Sequence, residues 1–248
     1  MNKINLLSLA KFFLAAFALC AQSLAWSVPK NVSLPDRLFS DSPEWEKKLD
    51  KENVQIYVRD YPDSQFKAFK ATAELSAPLS QVMAVMANPN SCVEWVLGCT
   101  VSYGFDAKSF NDRFAYSVND LPWPVADRDY VLKINTWREP ESGQIWMEMH
   151  AVKDMKPATD QYERVYIAQT IYVFESTPNN TTKMLWLQHT EPGGALPSWL
   201  VNAMLIDLPF KSLRKLEEVA NWDKYSSGEL LLDDQGELTG VKNAGTTP

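Results

Sequence analysis

His150 and His189 are the only imidazoles in the 248 residues, so the first chemical question is whether either is a catalytic base. A hydrolytic triad needs a nucleophile and an acid within hydrogen-bond reach of its histidine, and no G-x-S-x-G sequence marks a nucleophile elbow. His189-Thr190-Glu191 lacks the second histidine, four residues on, that a zinc-protease helix requires. Gly-rich phosphate loops of the familiar kinds are also missing, which argues against an ordinary nucleotide enzyme. Both histidines are therefore expected to serve the fold, with no catalytic residue, cofactor or metal. Cys92 and Cys99 have six residues between them. They read either as a disulfide closing a local loop or as half of a zinc site, and with only two histidines for further ligands the disulfide is the favoured reading.

The remaining polar residues with chemical potential lie within strand-like segments. Arg128-Asp129 either touches a ligand head group or is structural. The structural role is favoured, because neighbours on a strand point to opposite faces and each buried charge must find its own partner. Glu163, Arg164, Gln169 and Gln188 are either immersed in an interior cavity or solvated on an outer face.

The elements that must position these residues follow from periodicity. Asp41-Ser42-Pro43-Glu44 supplies cap, first-turn proline and early acid, so a short helix through about Leu49 is expected. Strand patterns run over Val54 to Asp60 and Phe66 to Leu75, joined by the turn Tyr61-Pro62-Asp63-Ser64. A helix opens at Ala77-Pro78, carries Val82, Val85 and Met86 on one face, and stops at Asn88-Pro89-Asn90. Six further strands are expected at about Val101 to Phe105, Arg113 to Val118, Arg128 to Trp137, Gln144 to Val152, Tyr162 to Phe174 and Lys183 to Thr190. Their short connections predict an antiparallel meander.

The last element is the most apolar. Between Trp199 and Phe210 only Asn202, Asp207 and Pro209 interrupt the apolar residues, so this helix is greasy around most of its circumference. It is too short to span a bilayer, which takes about 20 such residues, and must be covered by protein or by a bound apolar molecule. Gly193 and Gly194 supply a flexible entrance, and Pro209 weakens the helix where its N–H is missing. An antiparallel sheet that buries one face against such a helix leaves a cavity wherever the two do not interdigitate. Residues past about Asp223 show no sustained period and are expected to form an exposed, flexible tail over 223–248.

Composition sets the compartment. Lys3 and Lys11 precede the apolar run Phe12 to Leu19, and Ser23-Leu24-Ala25 offers small residues where a signal peptidase reads. A signal peptide over 1–25 is expected, with cleavage near Ala25, followed by an extended arm over 26–42. Loss of those lysines takes the formal net charge from -7 to -9. An acidic chain without Lys/Arg clusters argues against nucleic acid and anionic membrane surfaces as primary partners. The expectation is a secreted, periplasmic monomer.

Several of these residues together resemble a known family. The order of elements is similar to that of the START domain, the steroidogenic acute regulatory protein-related lipid transfer domain, across 43–222. So are the pair Arg128-Asp129 before Tyr130, and the block Thr182 to Gln188 leading through Pro197 into an apolar helix with Asn202. Cys92-Val93-Glu94-Trp95 and Pro122-Trp123-Pro124 resemble its secreted bacterial members in particular. The resemblance implies an α+β helix-grip fold, a curved antiparallel sheet around a long C-terminal helix. The cavity between them would hold one lipid or other hydrophobic small molecule for transport or sensing, with transient membrane contact during exchange. Sterol-binding members place an arginine six residues after the arginine of the Arg-Asp pair. This chain has Ile134 there, which argues against a sterol.

On strand alternation, Tyr130, Leu132 and Ile134 form one wall of the expected cavity, and Ile145, Met147 and Met149 the next. Gln169, Trp186 and Gln188 are further candidates, as are Trp199, Leu200, Ala203, Met204 and Leu208 on the helix. Each of the first six equally suits a filled core. An enzyme on the same fold, cyclase or hydrolase, and an interaction module that docks through the apolar helix are the alternatives.

Overall fold

Alternating apolar residues dominate the chain from Val54 to Glu191, and they build a sheet. The protein is described by a computed structural model over residues 44–194, 196 and 198–242, excluding the side chains of 198, 199, 202 and 203. The expected signal peptide and arm lie outside the described residues.

The strands are β1 (Glu46–Lys51), β2 (Val54–Arg59), β3 (Ala68–Leu75), β4 (Cys99–Ser109), β5 (Asp112–Asn119), β6 (Arg128–Arg138), β7 (Ile145–Ala151), β8 (Glu163–Arg164), β9 (Ile167–Ser176), β10 (Thr182–Glu191), β11 (Glu229–Leu232) and β12 (Leu238–Lys242). The helices are α1 (Leu79–Ala87), α2 (Cys92–Trp95) and α3 (Ser198–Ala220), with a 3-10 turn at Asp223–Tyr225. The large sheet runs β1-β2-β3-β10-β9-β7-β6-β5-β4, with β8 beside β6. Its neighbours pair antiparallel except for β8, which is parallel to β6. The expected meander is thus two meanders. They are joined where the late strand β10 closes against the early strand β3, with α1 and α2 in the crossover.

Three sequence-based expectations change. Residues 46–51 are an edge strand, not a helix. Glu52 and Asn53 take positive φ of 52° and 60°, the two-residue hairpin turn whose twist suits antiparallel pairing, so the pairing with β2 overrides the helix preference of EKKLDK. The strand expected over Tyr162 to Phe174 is broken: Arg128 and Asp129 pair with Glu163 and Arg164 before the chain crosses to β9. The expected tail instead folds back, with β11 and β12 forming a hairpin. Tyr225 and Leu238 are fully buried, and Gly228 sits so close to α1 that a Cβ there would meet the Ser80 carbonyl at 2.6 Å. The Tyr225 hydroxyl donates to Glu94 (2.7 Å) and accepts from Asn88 (2.9 Å), tying this segment to α1 and α2.

The core lies between the concave face of the sheet and the helices. Val54, Ile56, Ala71, Leu75, Phe174 and Met184 pack with Val82 and Val85 of α1 and with Leu213, Leu216 and Val219 of α3. Thus the second half of α3 fills the space beneath the sheet. α3 continues through Pro209, where the missing N–H leaves the Leu205 carbonyl without its helical donor.

Candidate ligand cavity

Under the first half of α3 the filling is incomplete. A cavity of about 220 Å³ lies there, many times the roughly 10–15 Å³ on the same measure that a single water needs. From α3 it is lined by Val201, Met204, Leu205 and Leu208, spaced at three and four residues as one helix face requires. The sheet contributes Tyr130, Leu132, Ile134, Met147, Met149, Trp186 and Gln188. The arrangement therefore gathers nine of the fourteen ligand-contact candidates: these seven with Met204 and Leu208.

The others fall elsewhere. Ile145 shares the concave face of Met147 and Met149 but is fully buried in the core beyond the cavity. Gln169 sits on the convex face, where it accepts a hydrogen bond from the Tyr61 hydroxyl (3.0 Å). The parity of β9 was hidden from sequence reading because Ile171 and Val173 on one face are as buried as Tyr172 and Phe174 on the other. Leu200 is buried but does not line the cavity. The side chains of Trp199 and Ala203 lie outside the described residues.

Trp95, Ala115, Thr170 and Tyr172, none of them among the fourteen candidates, also line the cavity. Trp95 is carried by α2, which the bonded pair Cys92–Cys99 ties to the start of β4 (Cα–Cα 5.9 Å). It meets Trp186 edge-on, with centroids 5.9 Å apart, and Trp186 in turn packs on Tyr172 at 5.2 Å. The aromatic spacing alone did not show this, because the rings come from three elements.

One end of the cavity is polar. Gln188 Oε1 accepts from Trp186 Nε1 (3.0 Å) and Thr170 Oγ1 (3.2 Å), while its Nε2 donates to Thr190 Oγ1 (3.1 Å). Arg128 is nearly inaccessible. Its Nε donates to the Pro192 carbonyl (3.1 Å), one Nη to the Gly193 carbonyl (2.9 Å) and the other to that of Ala126. Burial lowers its pKa. Desolvation pushes the Tyr130 hydroxyl up to about 12 and raises Tyr172 as well, so both phenols remain protonated donors.

Asp129, one residue on from Arg128, points to the opposite face. There it receives Arg164 through two bonds (2.8 and 2.7 Å) and the Tyr116 hydroxyl (3.0 Å). Asp129 with Arg164 is structural. Arg128 both lines the cavity and holds the loop before α3. Gly193 and Gly194 in that loop have φ of +69° and +63°, and a Cβ on Gly194 would lie 3.3 Å from the Arg128 guanidinium. Both histidines are on the convex face, away from the cavity. His189 stacks on Tyr61 at 3.7 Å, and burial lowers the pKa of each. Among the described residues no group of three acidic, cysteine or histidine side chains converges as a metal site, and no described helix is long and apolar enough to cross a membrane.

A curved antiparallel sheet that grips a C-terminal helix over an interior cavity defines an α+β helix-grip protein. The START domain family matches residues 33–219, and the chain belongs to that family. Its structure is similar to the STAR-related lipid transfer protein of Xanthomonas axonopodis, 26% identical over 72% of this chain and 99% of that one, with a TM-score of 0.65. It is also similar to human STARD10, 21% identical over 78% of this chain and 82% of that one, with a TM-score of 0.64. In sequence it is 24% identical to an uncharacterised protein of Pseudomonas aeruginosa over 179 residues, 71% of this chain and 87% of that protein.

Proposed function

We propose that the protein binds one lipid or other hydrophobic molecule in the cavity under α3 and carries or senses it, without covalent chemistry. The observation that supports this reading is the unfilled, largely apolar space between the α3 face at Val201, Met204 and Leu208 and the sheet wall at Leu132, Ile134 and Met147. Each methylene that leaves water for such a space contributes about 0.8 kcal/mol. The resemblance to a lipid transfer protein in Xanthomonas axonopodis adds to it. An enzyme would need an acid and a base convergent on the cavity, and both histidines lie on the other face of the sheet.

Exchange requires the first half of α3 to move. The loop at Gly193-Gly194 and the missing hydrogen bond at Pro209 are where such movement is cheapest. Gly193→Pro would not be a clean test of this, because the φ of +69° at Gly193 is one that proline cannot adopt.

Native mass spectrometry of gently purified protein tests the reading. A stoichiometric hydrophobic adduct is expected, together with its loss in Ala115→Trp, which places an indole in the cavity while the fold survives. Protein that is empty, and that stays empty after incubation with lipid vesicles, overturns it.

A further inference from the structure

The hydrogen-bond inventory of the polar end says what kind of head group fits there. The Gln188 amide orientation is fixed, because Trp186 Nε1 is only a donor and must face Oε1. With Oε1 accepting two bonds and Nε2 giving one to Thr190, Gln188 has a donor left. Thr190 accepts from Gln188, so its hydroxyl proton is also left to give. The Tyr130 hydroxyl makes no hydrogen bond with any described residue, and burial keeps it protonated. Arg128 has five N–H groups. Three go to main-chain carbonyls, and among the described residues the guanidinium forms no ion pair. Glu163, its neighbour on β8, and Asp127 act on its charge from nearby, but neither takes a guanidinium hydrogen bond, so the buried cation keeps N–H groups to offer.

These donors lie to one side of the apolar wall. The register sets Gln188 beside Thr170, Thr170 beside Met149 and Met149 beside Ile134. Tyr130 and Arg128 then follow along β6 on the same side as Thr190, and Arg128 reaches Pro192 and Gly193. In the other direction lie Met147, Tyr172 and Trp186, an apolar wall. Asp120 also lines the cavity, but it is exposed and water screens its charge.

We infer that the occupant is an amphiphile with an anionic, acceptor-only head, a carboxylate or phosphate monoester, seated against Arg128, Tyr130, Gln188 and Thr190 with its chain along Met147 and Trp186. This rests on the carrier reading and narrows it.

The test uses the purified protein with cis-parinaric acid and its methyl ester as fluorescent probes, and with dodecyl phosphate, dodecanol and inorganic phosphate as competitors. The acid is expected to bind at least about tenfold more tightly than the ester, the usual scale for a hydrogen bond to a charged group. Dodecyl phosphate should displace it far better than dodecanol or inorganic phosphate. Arg128→Gln should abolish the preference. Tyr130→Phe, which removes no bond within the protein, should reduce it about threefold, the scale of one neutral hydrogen bond, and decides the matter if the arginine variant does not fold. Equal affinity for acid and ester overturns the anionic head while leaving the carrier intact. Displacement by inorganic phosphate as effective as by dodecyl phosphate overturns the amphiphile, and failure of every probe to bind overturns both readings.

Discussion

Arg128 and Asp129 are adjacent in sequence and do unrelated work, because a strand sends neighbours to opposite faces. Asp129 holds a buried, bidentate Arg164 and the Tyr116 hydroxyl. Asp129→Asn leaves that arginine charged and poorly compensated, and urea unfolding should show a loss of about 3 kcal/mol. Replacing both partners with apolar residues, Asp129→Leu with Arg164→Met, should recover most of it; a double variant no better than the single one would mean that the charge is not the source of the loss. The possibility of a structural role for this pair was legible in sequence from alternation alone. That Arg128 reaches the carbonyls of Pro192 and Gly193 was not, since those atoms lie more than sixty residues away along the chain.

Among the elements, α2 shows how a small helix acquires a large role. Four residues cannot form a stable helix unaided, yet α2 places Trp95 against Tyr172 and Trp186 at the cavity wall. The Cys92–Cys99 bond supplies the restraint. Closing so short a loop is worth about 2 kcal/mol by the chain-entropy relation, so Cys92→Ser with Cys99→Ser should lower stability by that amount in thermal or urea unfolding. It should also speed dissociation of a bound probe, and an unchanged dissociation rate would detach α2 from the retention of ligand. The cysteine pair could be read from its spacing and from the scarcity of other ligands. The edge strand β1 could not, because its lysines and glutamates favour a helix and only the hairpin with β2 reverses that preference.

Across the whole molecule, the disulfide and the leader-like first 25 residues support one proposal, export to an oxidising compartment. Sequencing the mature protein from a periplasmic fraction should give an N-terminus at Trp26; an intact Met1 confined to the cytoplasm would reject it. The C-terminal segment carried a usable signal that went unread: Glu229-Leu230-Leu231-Leu232 before Asp233-Asp234-Gln235-Gly236 is a strand followed by a turn. Sequence by itself determined the strand-rich order, the apolar last helix, the family and most of the cavity wall on β6 and β7, because alternation and helical spacing are local properties. Only the tertiary structure decided which face of β9 looks inward, that the tail packs on α1, and that Arg128, Tyr130, Gln188 and Thr190 all line the same cavity. Those outcomes depend on register between strands distant in the chain, and a strand with apolar residues on both faces holds no local record of which side its partners will cover.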